Sequence, residues 1–246
     1  MGDEFVIALL DVLGFEKRVA RTSLEEVHRQ YRDLLEVLVA EGRGGAFFDA
    51  LPAGGSSMVP FFGYLDLNYD YFSDTILLWT SFAVPTLMPF VHSCSSLLCS
   101  MLLLELPVRG AVALGPAVMD KSTRTYLGQP IVEAARVEKA QHWVGLALGP
   151  SFSDRKDVSM RADLIRPYRH HLKPDFVETS IPSLVPDWPR VWRTDHEGSR
   201  IPLLDRLGGQ GDAREYYRRA IEFARESEED SEWWIRYQEE HPGSSS

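Results

Sequence analysis

The sequence predicts an α+β fold in which helices pack on a mixed β-sheet and a mostly helical extension follows. Three observations carry that expectation. Residues 5–10 (FVIALL) form a continuous apolar run of strand length, as expected of a strand buried on both faces. Strand-like and helix-period segments then succeed one another as far as about residue 150. From residue 151 the periodicity lapses across a proline-rich stretch and returns in a charged helical segment beyond Asp212. The expected organisation is therefore a core over residues 1–150 and a C-terminal extension over 151–246, irregular and then helical, with a disordered tip at HPGSSS.

The first strand closes in Asp11-Val12-Leu13-Gly14-Phe15. A helix begins near Ser23, whose spacing to Glu26 fits a capping box, and Leu24, Val27, Tyr31, Leu34, Leu35 and Leu38 form its apolar stripe. The helix stops at the glycine-rich EGRGG, and residues 44–63, rich in Gly, Ser and Pro, read as a loop. A strand ending at Tyr71-Phe72, a tight Ser73-Asp74 turn and a strand over residues 75–82 make a β-hairpin. Pro85 and Pro89 suit the opening turns of a buried helix that runs to about Leu104. A strand over residues 108–114 follows and is broken by Gly115-Pro116. After another turn, Gly128-Gln129-Pro130 leads into a helix ending near His142, and residues 145–148 form a short strand.

The composition bounds the function. Lys and Arg number 26 and Asp and Glu 36 in 246 residues, a formal charge of -10, which argues against a general nucleic-acid or anionic-membrane binder. No ionisable Asp, Glu, Lys or Arg occurs between Asp74 and Glu105, so a membrane span has to be considered. Strand chemistry at the start of that run and helix chemistry at its end favour a buried strand plus a buried helix. Cys94 and Cys99 read as buried free thiols of a reducing, cytoplasmic compartment, and the acidic N-terminus is not a secretory signal.

Asp74 at a hairpin tip has two readings: a turn residue that bonds its own backbone, or a ligand on a rigid support. Asp11 supplies a partner if the two strands are neighbours, because paired carboxylates at strand ends suit hard divalent cations. Both readings stay open on these residues alone. Arg136 is three residues after Glu133, which an exposed helix ion pair would also explain; Arg109 reads as structural. His170 and His171 show no metal spacing, and Trp233 and Trp234 are expected to pack the extension.

Four segments resemble, in order, the motifs of the class III nucleotidyl cyclases. LLDVLGF is similar to the strand and first metal motif, YFSDTILLW to the hairpin with the second metal aspartate, PVRGAVALGPAV to the next core strand, and GQPIVEAARVEKA to the helix carrying a transition-state arginine. The resemblance spans roughly residues 4–148 and implies a ferredoxin-like core. It implies that Asp11 and Asp74 bind two divalent ions, Mn2+ or Mg2+, with the Val12 carbonyl, and that the backbone of Leu13, Gly14 and Phe15 cradles a triphosphate. It implies that Arg136 stabilises the transition state, and that a head-to-tail homodimer completes two sites at its interface.

The resemblance departs from the purine cyclases: the adenine-reading pattern is missing and a guanine pattern is only partly mimicked. Val132 stands where purine cyclases place an asparagine, and Asp70 and Thr125 stand at the adenine-reading places. With Ser73-Asp74 replacing Gly-Asp, the chain most resembles the bacterial pyrimidine cyclases of the Pycsar antiphage system, whose cyclic UMP or cyclic CMP acts on a separately encoded effector. UTP is the expected substrate over CTP, with Thr125 and Tyr126 near the base. The other function class open to the sequence is a non-catalytic nucleotide-binding module on the same scaffold.

Overall fold

The computed structural model describes residues 3–43, 65–153, 164–176, 184–195, 202–208 and 214–240. The apolar run becomes β1 (Glu4–Val12), the central strand, antiparallel to β3 (Thr75–Ser81) on one side and to β4 (Val108–Asp120) on the other. β2 (Asn68–Phe72) pairs with β3 through the Ser73-Asp74 turn, where Ser73 takes a left-handed φ of 57°. Helices α2 (Leu24–Arg43) and α3 (Val84–Leu103) connect the strands. Chain order β1-α2-β2-β3-α3-β4 with spatial order β4-β1-β3-β2 is the ferredoxin-like core that the sequence predicts. β6 (Gly145–Leu148) adds to β4 in parallel, after the crossover helix α4 (Gln129–Ala140), and makes the sheet mixed.

Alternation along β1 divides the sheet into two faces. Val6, Ala8, Leu10 and Val12 join Val27, Tyr31, Leu35 and Leu38 of α2 and the apolar side of α3 in the main core. The residues between them share the opposite face with α4, whose Ala134, Val137 and Ala140 are fully buried. The charge-free run resolves into β3 and α3. That helix is long and apolar enough to cross a membrane, yet Leu87, Phe90, Val91, Leu97 and Leu98 line the main core. Cys94 and Cys99 are free and buried, and burial pushes both thiols up, away from reactivity.

Several expectations change. Gly115-Pro116 does not end its strand: β4 continues for 13 residues and exchanges partners there, pairing with β1 up to Pro116 and with β5 (Thr125–Gly128) from Ala117. A proline costs little where a ladder changes hands. The turn expected after residue 116 therefore contains a strand. A short helix, α1 (Phe15–Val19), follows β1, and Gly14 at its start has a φ of 74°, which a side chain would strain. Leu24 does not join the apolar stripe; as the first residue of α2 it is 65% exposed. Half of the capping box forms: Ser23 Oγ accepts the Glu26 N–H at 3.2 Å, while the Glu26 carboxylate accepts from Arg29 and Gln30. The loop expected over residues 44–63 and the HPGSSS tip lie outside the described residues.

The later segments supply α5 (Pro150–Ser153), β7 (Ile165–Pro167) paired with β8 (Leu184–Pro186), α6 (Trp188–Asp195), α7 (Leu203–Gly208), α8 (Arg214–Glu229) and α9 (Trp233–Glu240). Their apolar residues continue the main core: Trp143 stacks on Tyr168 at 5.3 Å and meets the Phe223 edge at 5.1 Å. Trp233 is buried against Arg166 and packs the extension, as expected. Arg166 and Asp187, both buried, pair at 3.5 Å; Asp187 also accepts from the Ser227 hydroxyl, to which Arg193 donates.

His171 is fully buried beside Trp143, and neither ring nitrogen makes a well-formed hydrogen bond among the described residues. Burial holds its imidazole down at about 4. The unfolded chain takes up this proton near pH 6.5 and the folded chain does not, so the stability present above pH 6.5 falls as the pH drops toward 4. The expected loss is about 3 kcal/mol over that window. Urea unfolding at pH 7.5 and pH 5 should show about 2 kcal/mol of it. A His171→Phe variant should show a visibly flatter pH dependence; an unchanged slope would remove His171 as the cause.

Candidate functional site

In an antiparallel sheet, directly opposed residues share a face, so register decides which side chains meet. Phe72 opposes Thr75, Thr75 opposes Asp11, and Asp11 opposes Arg109. One row across four strands thus carries an exposed aromatic ring, a hydroxyl, a carboxylate and a guanidinium. Asp74 joins this row through the backbone: its carbonyl accepts the Val12 N–H at 2.9 Å, which pins the hairpin turn to the last residue of β1. Asp11 and Asp74 are thereby held at one sheet end on two rigid elements.

Burial raises the Asp11 carboxyl above the usual range, Arg109 opposes that rise, and the Asp74 charge adds to it. Tyr31 of α2 reaches the same place from the core. Its ring lies 6.1 Å from Phe15 and 5.7 Å from Tyr71, and its residue is 3% exposed. The buried Tyr31 hydroxyl has no hydrogen-bond partner among the described residues, and burial with the Asp74 and Asp11 charges pushes the phenol up. A buried hydroxyl left unpaired costs about 1–3 kcal/mol, so this atom marks a place where a polar group belongs.

Arg109 sits inside β4, and its guanidinium donates to Asp11 Oδ2 at 3.2 Å, to Glu138 Oε1 at 2.6 Å and to the Gln141 carbonyl at 3.2 Å. Burial raises the Glu138 carboxyl and Arg109 counters it. Arg136 lies elsewhere, exposed on α4, with no hydrogen bond or ion pair among the described residues. The Glu133–Arg136 pair is not formed; Glu133 Oε1 instead accepts from the Ser151 N–H at 2.9 Å and the Ser151 hydroxyl at 2.6 Å. Within one chain the structure does not bring Arg136 to the two aspartates.

Val12 ends β1, and the Leu13 N–H is already given to the Pro107 carbonyl, so the strand-to-helix junction is anchored on both sides. Gly14 and Phe15 follow at the start of α1. Two strands from Asp11, Asp70 accepts the Tyr126 hydroxyl at 2.7 Å and lies 3.5 Å from the Arg124 guanidinium. Burial and this carboxylate raise the Tyr126 phenol to about 12. The Tyr126 ring is 5.2 Å from Trp79, above a second apolar cluster of Ile7, Leu77, Trp79 and Ala117. The Thr125 hydroxyl is paired with Thr123 at 2.9 Å. Val132 is exposed on α4. Neither Asp70–Tyr126 nor Arg109–Asp11 is local in sequence, and only the register reveals them.

The donors at Asp11 and Asp74 are hard oxygens and fit a small divalent cation, with the unpartnered Tyr31 hydroxyl as a further polar group. Among the described residues no group of three or more His, Cys, Asp or Glu could hold a metal, so most of the coordination sphere would come from ligand oxygens and water.

No protein-family model and no curated protein matches the chain. Among solved structures, the catalytic core of a rhodopsin-guanylyl cyclase with converted specificity, in complex with ATPαS, aligns with a TM-score of 0.48 and 9% identity, covering 75% of this chain and 94% of that one. A class III adenylyl cyclase-like ATP-binding protein from Pseudomonas aeruginosa aligns with a TM-score of 0.37 and 14% identity, covering 65% of this chain and 35% of that one. At these scores the likeness assigns no residue a role.

Proposed function

We propose that the chain is a pyrimidine nucleotidyl cyclase that converts UTP into 3',5'-cyclic UMP and pyrophosphate. The observation that supports this most is the gathering of Asp11, Asp74, Arg109 and the unpartnered Tyr31 hydroxyl at one sheet end. Bound there, two divalent cations supply charge that eases loss of the ribose 3'-hydroxyl proton and neutralises the β- and γ-phosphates. The 3'-hydroxyl gives its proton to water, the 3'-oxygen attacks the α-phosphorus, the bond from that phosphorus to the β-phosphate oxygen breaks, and pyrophosphate leaves with the electron pair.

Asp11 and Asp74 would hold the cations, with Arg109 fixing the Asp11 rotamer. The backbone from Leu13 to Phe15 lies beside them, on the path of a triphosphate chain. Two strand spacings and one side-chain repeat separate Asp70 from Asp11, about 12 Å, the scale of a nucleotide lying across the strands. Asp70 with Arg124 offers an acceptor beside a donor, the complement of the uracil N3–H and O4, which favours UTP over CTP. Arg136, exposed and unpaired among the described residues, suits a transition-state role at the site of a second protomer, in a homodimer with sites at the interface. A cyclic pyrimidine product would serve as a messenger to a separate effector in antiviral defence.

The isolation of Arg136 from the carboxylates also favours a second reading, a nucleotide-binding module without turnover. One experiment separates them: the protein is incubated with each of the four ribonucleoside triphosphates and Mn2+, and products are identified by mass. Cyclic UMP is expected. Tight UTP binding without product would select the second reading, and failure with every nucleotide, metal and protein concentration would sink the first.

A further inference from the structure

The C-terminal segments reach Arg109, and through it the site, by the side chain of Tyr216. Tyr216, in the first turn of α8, accepts the Val144 N–H with its carbonyl at 3.4 Å and packs its ring 4.2 Å from His142, so it is tied to the segment between α4 and β6. The same ring covers the Arg109 guanidinium, whose carbon lies 5.9 Å from the ring centroid. Around its edge that guanidinium is committed to Glu138, the Gln141 carbonyl and Asp11. An aromatic face across a guanidinium plane excludes water and fixes its tilt, and the attraction strengthens as the cation is desolvated.

We propose that Tyr216 is a positioning residue for Asp11, acting through Arg109: the ring fixes the guanidinium, and the guanidinium holds Asp11 by Oδ2 in a single rotamer. The proposal rests on Asp11 being a cation ligand, as argued above. It gives the C-terminal extension a role in the site without contact with substrate. Without the ring, Arg109 gains water and mobility, the Asp11 carboxylate loses its fixed orientation, and a cation must order it on binding.

The test uses the full chain in three variants. Tyr216→Ala removes the ring, and Tyr216→Phe restores it without the hydroxyl. Tyr168→Phe deletes the Tyr168 hydroxyl bond to the Arg219 carbonyl of α8 and leaves the Tyr216 ring and its Arg109 contact in place. Two quantities are read at fixed pH in nucleotide-free protein: the carbon-13 signal of the Asp11 carboxyl, assigned with Asp11→Asn, and Mn2+ affinity by paramagnetic resonance. Tyr216→Ala should shift the Asp11 signal and weaken Mn2+ binding about three- to five-fold, the scale of one partly exposed cation–π contact. Tyr216→Phe should restore both, and Tyr168→Phe should move neither.

An Asp11 signal unmoved by Tyr216→Ala overturns the proposal, as does an equal response to Tyr168→Phe, which would reduce the ring to general packing. A shifted signal with unchanged Mn2+ affinity also overturns it. Wild-type protein that binds no Mn2+ would instead overturn the metal reading of Asp11 and Asp74, while the carboxyl signal still decides whether Tyr216 reaches Asp11.

Discussion

Asp74→Asn should remove about a thousand-fold or more of the nucleotide turnover, several kcal/mol of transition-state stabilisation, and none of the stability. The change is isosteric and at a turn, so it opens no cavity, and the carbonyl that accepts the Val12 N–H is untouched. It also deletes the like charge that helps raise Asp11, so the folded state should hold steady or gain slightly. Cyclisation rates beside urea unfolding curves check both halves; a variant with normal turnover would reassign Asp74 to turn capping. Mixing Asp74→Asn with Arg136→Ala extends the test. Each variant alone should be inactive, and the mixture should recover part of the rate if one site draws on two protomers.

The second large effect is on stability. Asp187→Ala should cost about 3–5 kcal/mol, because it takes the buried carboxylate from the buried Arg166 cation, whose Nε and Nη1 already lack hydrogen bonds among the described residues, and leaves it the half-exposed Glu226 at 3.6 Å. That is a large share of the 5–15 kcal/mol typical of a folded domain. Replacing both members, Arg166→Met with Asp187→Leu, should cost less than the single change, since an apolar pair leaves no uncompensated charge. Equal losses in urea unfolding would show that Ser227, Arg193 and Glu226, not the ion pair, anchor this region.

What the sequence made legible follows from the range of the forces involved. The run before Asp11, the Ser73-Asp74 turn, the Ser23 cap and the prolines opening α3 are local signals, set by propensity and periodicity, and they appear at the expected places. β5 was hidden because its four residues carry no period of their own and are strand only through pairing with the far half of β4. The meeting of Arg109 with Asp11 was hidden for a related reason: it is a matter of register between residues 98 apart, and a one-residue slip would turn Arg109 to the other face. The orphaned Tyr31 hydroxyl was invisible too, since at its helix position a tyrosine reads as one more apolar stripe residue. His171 looked like half of an unremarkable pair until burial separated it from His170.

The hydrogen bond between Val12 and Asp74 bears on ion choice. The spacing of Asp11 and Asp74 is fixed by main-chain atoms of a sheet end, so it cannot widen freely to suit a larger guest. Calcium prefers longer oxygen distances and six to eight flexible ligands, whereas magnesium keeps a tight octahedron completed by water and phosphate. On the proposed reading, a clamp of fixed jaw width sorts cations by radius, admitting magnesium and manganese and holding calcium poorly.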